Sequence, residues 1–197
     1  MVDAYSGGKV SHVGIALSFA FVVTATVSAL GRVSGAHINP AVTLALWSVR
    51  RFPGADLVPY ILAQCTGAVA ASVVLRALLG PVGNVGATLL SISAGPAFVT
   101  EWLMSFILMF VIMAVATDDN RAIGRVALAV GLTVGFCALM GGPLTGASMN
   151  PARSFGPAVV GGLWSAHWIY WLAPTTAMVV AARTWSFLVR PVPNPAH

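Results

Sequence analysis

Charge is scarce in this chain of 197 residues: Asp, Glu, Lys and Arg make up 8% of it, while hydrophobic residues make up 58%. A water-soluble domain carries roughly 25% charged residues, because its surface must be hydrated. Mean hydropathy is +0.89. So little charge excludes a dissolved globular enzyme and predicts an integral membrane protein. Cysteine is almost as rare. Cys65 and Cys137 both fall in apolar stretches without metal-ligand spacing, which excludes a disulfide framework or a zinc site and marks them as small buried residues. The net charge of +5 comes from dispersed basic residues. No basic stripe or aromatic-basic cluster is present, so nucleic acid is not an expected partner. Neither a cofactor nor a metal is expected.

What the chain has in quantity is apolar runs. Nearly uncharged stretches cover Val10–Gly31, Leu57–Leu75, Ala97–Thr117, Val126–Gly142 and Trp164–Ala182. Each approaches the ~20 residues that a helix needs to cross a bilayer, so five spans are expected. The polar residues 1–9 ahead of a span-length run argue against a cleavable signal peptide. Arg32, Arg50, Arg51, Arg121, Arg125, Arg183 and Arg190 border the connections 32–56 and 118–125 and the C-terminal tail. The other two connections hold only Arg76 and Arg153. The bias places the C-terminus in the cytoplasm, and with five spans it puts the N-terminus outside.

Two connections are too apolar for plain loops. The segment Ser34-Gly-Ala-His-Ile-Asn-Pro-Ala-Val-Thr aligns without a gap on Thr145-Gly-Ala-Ser-Met-Asn-Pro-Ala-Arg-Ser, at an offset of 111 residues. Each is too short to span the bilayer yet apolar enough to enter it. Non-helical backbone is tolerated at that depth only where protein buries it or where it lines a watery cavity. Both segments therefore read as re-entrant, inverted across the membrane in the manner of channels and transporters built from inverted repeats. The fold class expected is an all-α membrane protein, an inverted-repeat helical bundle of five spans plus two half-helices. Its parts would be a first repeat over 1–79, a connecting loop over 80–96, a second repeat over 97–190 and a Pro-rich tail over 191–197. Shifted back by 111, the span Ala97–Thr117 falls almost wholly before Met1. The first repeat is thus expected to lack its first helix, as in a truncated chain or one with a start codon assigned too late. A third Asn-Pro-Ala at Asn194–Ala196 has no residues left to build a helix and reads as chance.

Asn is a favoured N-cap and Pro a favoured first helical residue. Asn39-Pro40-Ala41 and Asn150-Pro151-Ala152 should therefore each start a short helix, running to about Trp47 and Val159. Inverted, the two would meet tip to tip near the midplane. If each Asn oxygen caps its own helix, its NH₂ stays free to hold the oxygen of a passing neutral molecule, while both positive dipole ends repel cations. The approaches Gly35-Ala36-His37 and Gly146-Ala147-Ser148 would offer backbone carbonyls as acceptors. The plainer reading is two structural helix caps. Arg153, at membrane depth, would repel cations and donate to a solute; the alternative is a snorkelling or fold-stabilising cation. Glu101, the lone charge inside a span, is expected to accept hydrogen bonds from re-entrant backbone N–H groups, and Gln64 to bond similarly. Gly131-x-x-x-Gly135, with Gly124 on the same face, is a close-packing signature, and its repeat partners Ala20 and Thr24 are also small. Trp164, Trp168, Tyr170 and Trp171 read as an interfacial belt.

The paired motifs, and the pattern Glu101-x-x-x-Ser105-x-x-Leu108, resemble the aquaporin (major intrinsic protein) family over nearly the whole chain. The resemblance implies a bundle of six helices plus two half-helices, a homotetramer with one pore per subunit, and a plasma-membrane location. It carries the family's filter over to Phe19, Ala138, Ala147 and Arg153. Ala138 stands where water-selective members usually have His. Ser154 follows the motif's Arg where glycerol-type members usually have Asp, and Ala158, Tyr170 and Trp171 are nearer the water type. The reading that results is a passive channel, not an enzyme, for water and small uncharged solutes such as glycerol, urea or metalloid hydroxides, excluding ions and protons. The alternatives are a secondary transporter, which would need an intramembrane carboxylate at its centre, and a non-conducting truncated subunit.

Overall fold

The structure is a computed structural model that describes residues 1–116 and 122–189. Arg121, Arg190 and the tail with its third Asn-Pro-Ala lie outside the described residues. Among those described, all regular structure is helical: α1 (Val2–Tyr5), α2 (Ser11–Ser34), α3 (Pro40–Ser48), α4 (Leu57–Leu79), α5 (Ala94–Ala116), α6 (Ile123–Thr145), α7 (Pro151–Gly161) and α8 (Ile169–Leu188), with short 3₁₀ turns at Gly54–Asp56 and Val82–Gly86.

Each expected span contains a helix: four are extended by three or four residues at an end, whereas the fifth starts at Ile169 rather than Trp164 and runs on to Leu188. Four of them, at Ser11–Ser34, Gly54–Leu79, Ala94–Ala116 and Ile123–Thr145, are long and apolar enough to cross a membrane. The fifth differs from expectation: α8 has 20 residues but is not among those four. One face of α8 packs on protein, and its exposed face carries Thr176. Ile169, Tyr170, Ala173, Pro174, Ala177, Met178, Ala181 and Ala182 are all buried, against α5 and α3, and Thr176 returns its hydroxyl to Leu172 O at 2.7 Å.

The internal repeat is visible in the order of elements. A long helix ends at a left-handed glycine, a short irregular segment leads to an Asn cap, and a half-helix precedes another long helix. This describes α2–α3–α4 and again α6–α7–α8. The copies interlock: α3 packs chiefly on α8, and α7 chiefly on α4. Each half-helix is therefore held by the last helix of the other repeat. The repeats meet where α2 crosses α6. A Cβ built on Gly131 would lie 2.0 Å from Thr24 Oγ1 and 2.6 Å from Ala20 O. No side chain fits there, so the absence of one sets the closeness of the crossing. Gly124, on the same helix, has no such neighbour.

α5 packs on α8 and α6 and has no repeat counterpart among the described residues. On α4 only 6% of the apolar window is buried, against 33% for α5 and 39% for α6. The core lies between α2, α5, α6, α8 and the half-helices, with Met109, Met113 and Met178 fully buried. Unbranched thioethers suit the uneven gaps between crossing helices. Cys137 belongs to this core, whereas Cys65 is only half-buried, and both are free thiols.

Candidate functional site

The two Asn-Pro-Ala segments have nearly the same backbone. Asn39 has φ −151° and ψ 115°, Asn150 has φ −151° and ψ 109°, and Pro follows each at the first helical position. Asn39 Oδ1 accepts from Ala41 N at 2.9 Å, and Asn150 Oδ1 accepts from Ala152 N and Arg153 N at 3.1 and 3.3 Å. Such a cap contributes about 1 kcal/mol to its helix.

The side-chain amides do more than the sequence reading anticipates. Asn39 Nδ2 donates to Met149 O, and Asn150 Nδ2 to Ile38 O, both at 2.7 Å. Each amide thus ties its own half-helix to the irregular segment of the other repeat. One N–H of each pair is spent on this tie, and the second remains. The expectation of a wholly free NH₂ is corrected accordingly. The ties arise because tip-to-tip half-helices bring each cap beside the last carbonyl before the opposite cap.

Gly35 and Ala36 have φ of 78° and 51°, and Gly146 and Ala147 have 79° and 43°. These matched left-handed pairs turn the chain out of α2 and α6 toward the half-helices. For an alanine that conformation costs roughly 1–2 kcal/mol, so the surroundings must hold it. Around the second pair they do. Glu101, fully buried, accepts from Thr145 Oγ1 at 2.6 Å and Ser148 N at 2.8 Å on one oxygen, and from Met149 N at 2.8 Å on the other. Tyr170, expected in an interfacial belt, is instead fully buried and donates to Thr145 O at 2.8 Å. Trp164 and Trp168 are about half exposed. Around the first pair, Gln64 Nε2 donates to His37 O and, at 3.0 Å, to Thr43 Oγ1. Phe52 and Tyr60 rings lie 5.4 and 5.7 Å from the His37 ring.

A cavity of about 870 Å³ runs along these segments. Phe19, Ala138, Ala147 and Arg153 all line it, together with Asn39, Asn150, Gly35, Ala36, His37 and Ser148. Gly146 does not line it and packs instead against Thr88, whose Cα would sit 3.0 Å from a Cβ there. Of the expected carbonyl acceptors, Ala36 O is occupied by Ile38 N and His37 O by Gln64. The facing wall is aliphatic, with Val23, Val27, Ile112, Val126, Val130 and Val134. A second cavity of about 460 Å³ lies on the α4 side and shares His37, Ile38, Asn150 and Arg153 with the first.

Arg153 is held over Phe19, with its guanidinium carbon 5.4 Å from the ring centroid, and donates from Nη1 to Gly86 O at 2.8 Å. A cation over an aromatic face is stabilised by about 0.5–2 kcal/mol, more as water is removed. Its Nε–H has no hydrogen-bond partner among the described residues. Glu101 has both oxygens engaged and does not line the cavity. Sequence reasoning missed Gly86 and Thr88 of the connector, where no motif or repeat marks them.

Apolar helices, two opposed half-helices and a polar ribbon along one conduit define a multi-pass membrane channel of the inverted-repeat class. The chain belongs to the major intrinsic protein family, whose model matches residues 2–185. It is 44% identical to a probable aquaporin, AqpM, of Archaeoglobus fulgidus, over 93% of this chain and 79% of that protein. It is 48% identical to aquaporin NIP1-4 of Oryza sativa and 47% to nodulin-26 of Glycine max, over 91% and 86% of this chain. The chain spans 66% and 63% of those two plant proteins. The fold matches the aquaglyceroporin of Plasmodium falciparum with a TM-score of 0.83 at 24% identity, over 92% of this chain and 84% of that one. Proteins of this family are channels for water or small solutes rather than enzymes, and this chain is such a channel.

Proposed function

We propose that the chain conducts water together with small uncharged hydroxylated solutes, of the glycerol, urea or metalloid-hydroxide kind, and excludes ions and protons. The observation that carries this reading is the paired Asn39 and Asn150 at the meeting of the half-helices, each with one amide N–H left after its tie. A solute there meets donors on one side and the aliphatic wall on the other. That division suits a polyol, which has hydroxyls along one edge and C–H groups along the other. Ala138 offers neither bulk nor a donor, so the filter around Arg153 is wide on that side.

Exclusion of cations follows from charge. Two helix N-termini each carry about +0.5 charge toward the junction, and Arg153 adds a full charge at the filter. Protons meet the same field, and water held by the two amides orients its oxygen toward them. A transporter would need a titratable carboxylate facing its site. Glu101 is turned away from the conduit and saturated with donors, which favours passive flow. The reading includes a homotetramer in the plasma membrane with a cytoplasmic C-terminus.

The test is stopped-flow light scattering of proteoliposomes, with a sucrose gradient for water and then a glycerol gradient. Fast shrinkage in sucrose and re-swelling in glycerol are expected, with flux linear in gradient. Saturable flux would favour a transporter, and rates equal to those of empty liposomes would reject conduction.

A further inference from the structure

We propose that Thr88 is a positioning residue for the filter, setting through a chain of hydroxyls where Asn150 and Arg153 stand. This rests on the conducting role proposed above. Thr88 is 4% exposed and lies in the connector between the repeats, away from the cavity lining. Its Oγ1 donates to Ser154 Oγ at 2.7 Å; Ser154 Oγ and Ser148 Oγ are 2.5 Å apart; Ser148 Oγ donates to Asn150 O at 2.9 Å. Each hydroxyl has one proton, and a single direction satisfies the whole series, from Thr88 through Ser154 and Ser148 to the carbonyl of the capping Asn150.

The same connector grips the filter a second time. Gly86 O accepts from Arg153 Nη1 at 2.8 Å, and Ser91 N donates to Leu144 O at 2.9 Å. Between these two holds, the Thr88 backbone stands against Gly146, at the turn leading to Ala147. Gly83, Asn84 and Val85, just upstream, all have positive φ, and Val85 is buried. A conformation this unfavourable persists only where its surroundings hold it, and Gly86 O at its end is bonded to Arg153. Arg153 and Asn150 line the cavity; the chain from Thr88 passes Ser154, next to Arg153, and ends on Asn150, while Gly86 of the same connector holds the guanidinium.

The role predicts a change in selectivity rather than in amount of protein. Wild type, Thr88→Val, Thr88→Ser and Ser154→Ala are reconstituted, and the permeability to a five-carbon polyol is divided by that to water in the same vesicles. Valine keeps the volume and deletes the hydroxyl. The ratio should rise by about fivefold in Thr88→Val, the factor that loss of one net hydrogen bond is worth, and similarly in Ser154→Ala. It should return to the wild-type value in Thr88→Ser. If Thr88→Val does not insert, Ser154→Ala carries the test, because it breaks the same chain one link on. Wild-type ratios in the hydroxyl-less variants that do insert would overturn the assignment, as would equal shifts in the Val and Ser variants. A wild type without flux would overturn the conducting role and this assignment with it, whereas a conducting wild type with unshifted variants would overturn only this one.

Discussion

Replacing Glu101 by glutamine changes one atom, yet it should be severely destabilising. Three donors converge on the carboxylate: the Thr145 hydroxyl and Ser148 N on one oxygen, and Met149 N on the other. In the ionised form both oxygens accept, and the cost of the change is worked for that form. Glutamine supplies one acceptor. Its better orientation keeps the oxygen on Thr145 and Ser148 and turns the NH₂ against Met149 N–H. Two charge-assisted bonds become neutral ones, at about 1 kcal/mol each, and one buried donor is left unpaired, at about 1–3 kcal/mol. The sum is about 3–5 kcal/mol. The assay is equilibrium unfolding in mixed micelles, followed by tryptophan fluorescence. Per-molecule water flux should fall as well, because Ser148 and Met149 position the Asn150 cap. A Glu101→Gln variant within about 1 kcal/mol of wild type would refute the reasoning, since glutamine is a good mimic only of a protonated carboxyl.

Gly131→Leu should separate α2 from α6, because a Cβ alone meets Thr24 Oγ1 and Ala20 O inside contact distance; loss of the folded state in the same unfolding assay is expected, and near-native stability would contradict the tight crossing. Asn150→Asp places a negative charge at the junction, and Arg153→Glu reverses the filter charge. Both should raise cation leak, measured as dissipation of a K⁺ gradient across proteoliposomes, and unchanged leak in both would remove charge as the basis of exclusion. Asn39→Ala deletes the cap on Ala41 N and the tie to Met149 O and should cost about 2–3 kcal/mol of stability; a cost below ~0.5 kcal/mol would show the tie to be idle.

Much of the architecture is legible in the sequence because it repeats. Asn-Pro-Ala in two matched apolar settings predicts half-helices to within two residues of Pro40–Ser48 and Pro151–Gly161. The pairing of Gly131 and Gly135 with Ala20 and Thr24 follows from the same offset, and the structure places those residues in contact. What the sequence conceals are bonds that cross the repeat or leave it. The amide of Asn39 reaches a carbonyl 110 positions away, and Thr88 reaches Ser154 across 66. Neither separation is encoded in a local period. Tyr170 reads as interfacial because aromatic residues surround it, and only packing reveals that its ring is buried and its hydroxyl spent on Thr145.

Solute should pass along the cavity that Ala138 lines, and Ala138→Trp tests this most directly. Ala138 lines that cavity and is 7% exposed, within the core that surrounds it, so an indole there should fill the conduit. Osmotic water permeability of proteoliposomes should fall to the level of empty liposomes in a variant that still inserts and folds. A stable Ala138→Trp variant that conducts water at the wild-type rate would place the permeation path elsewhere and contradict the account.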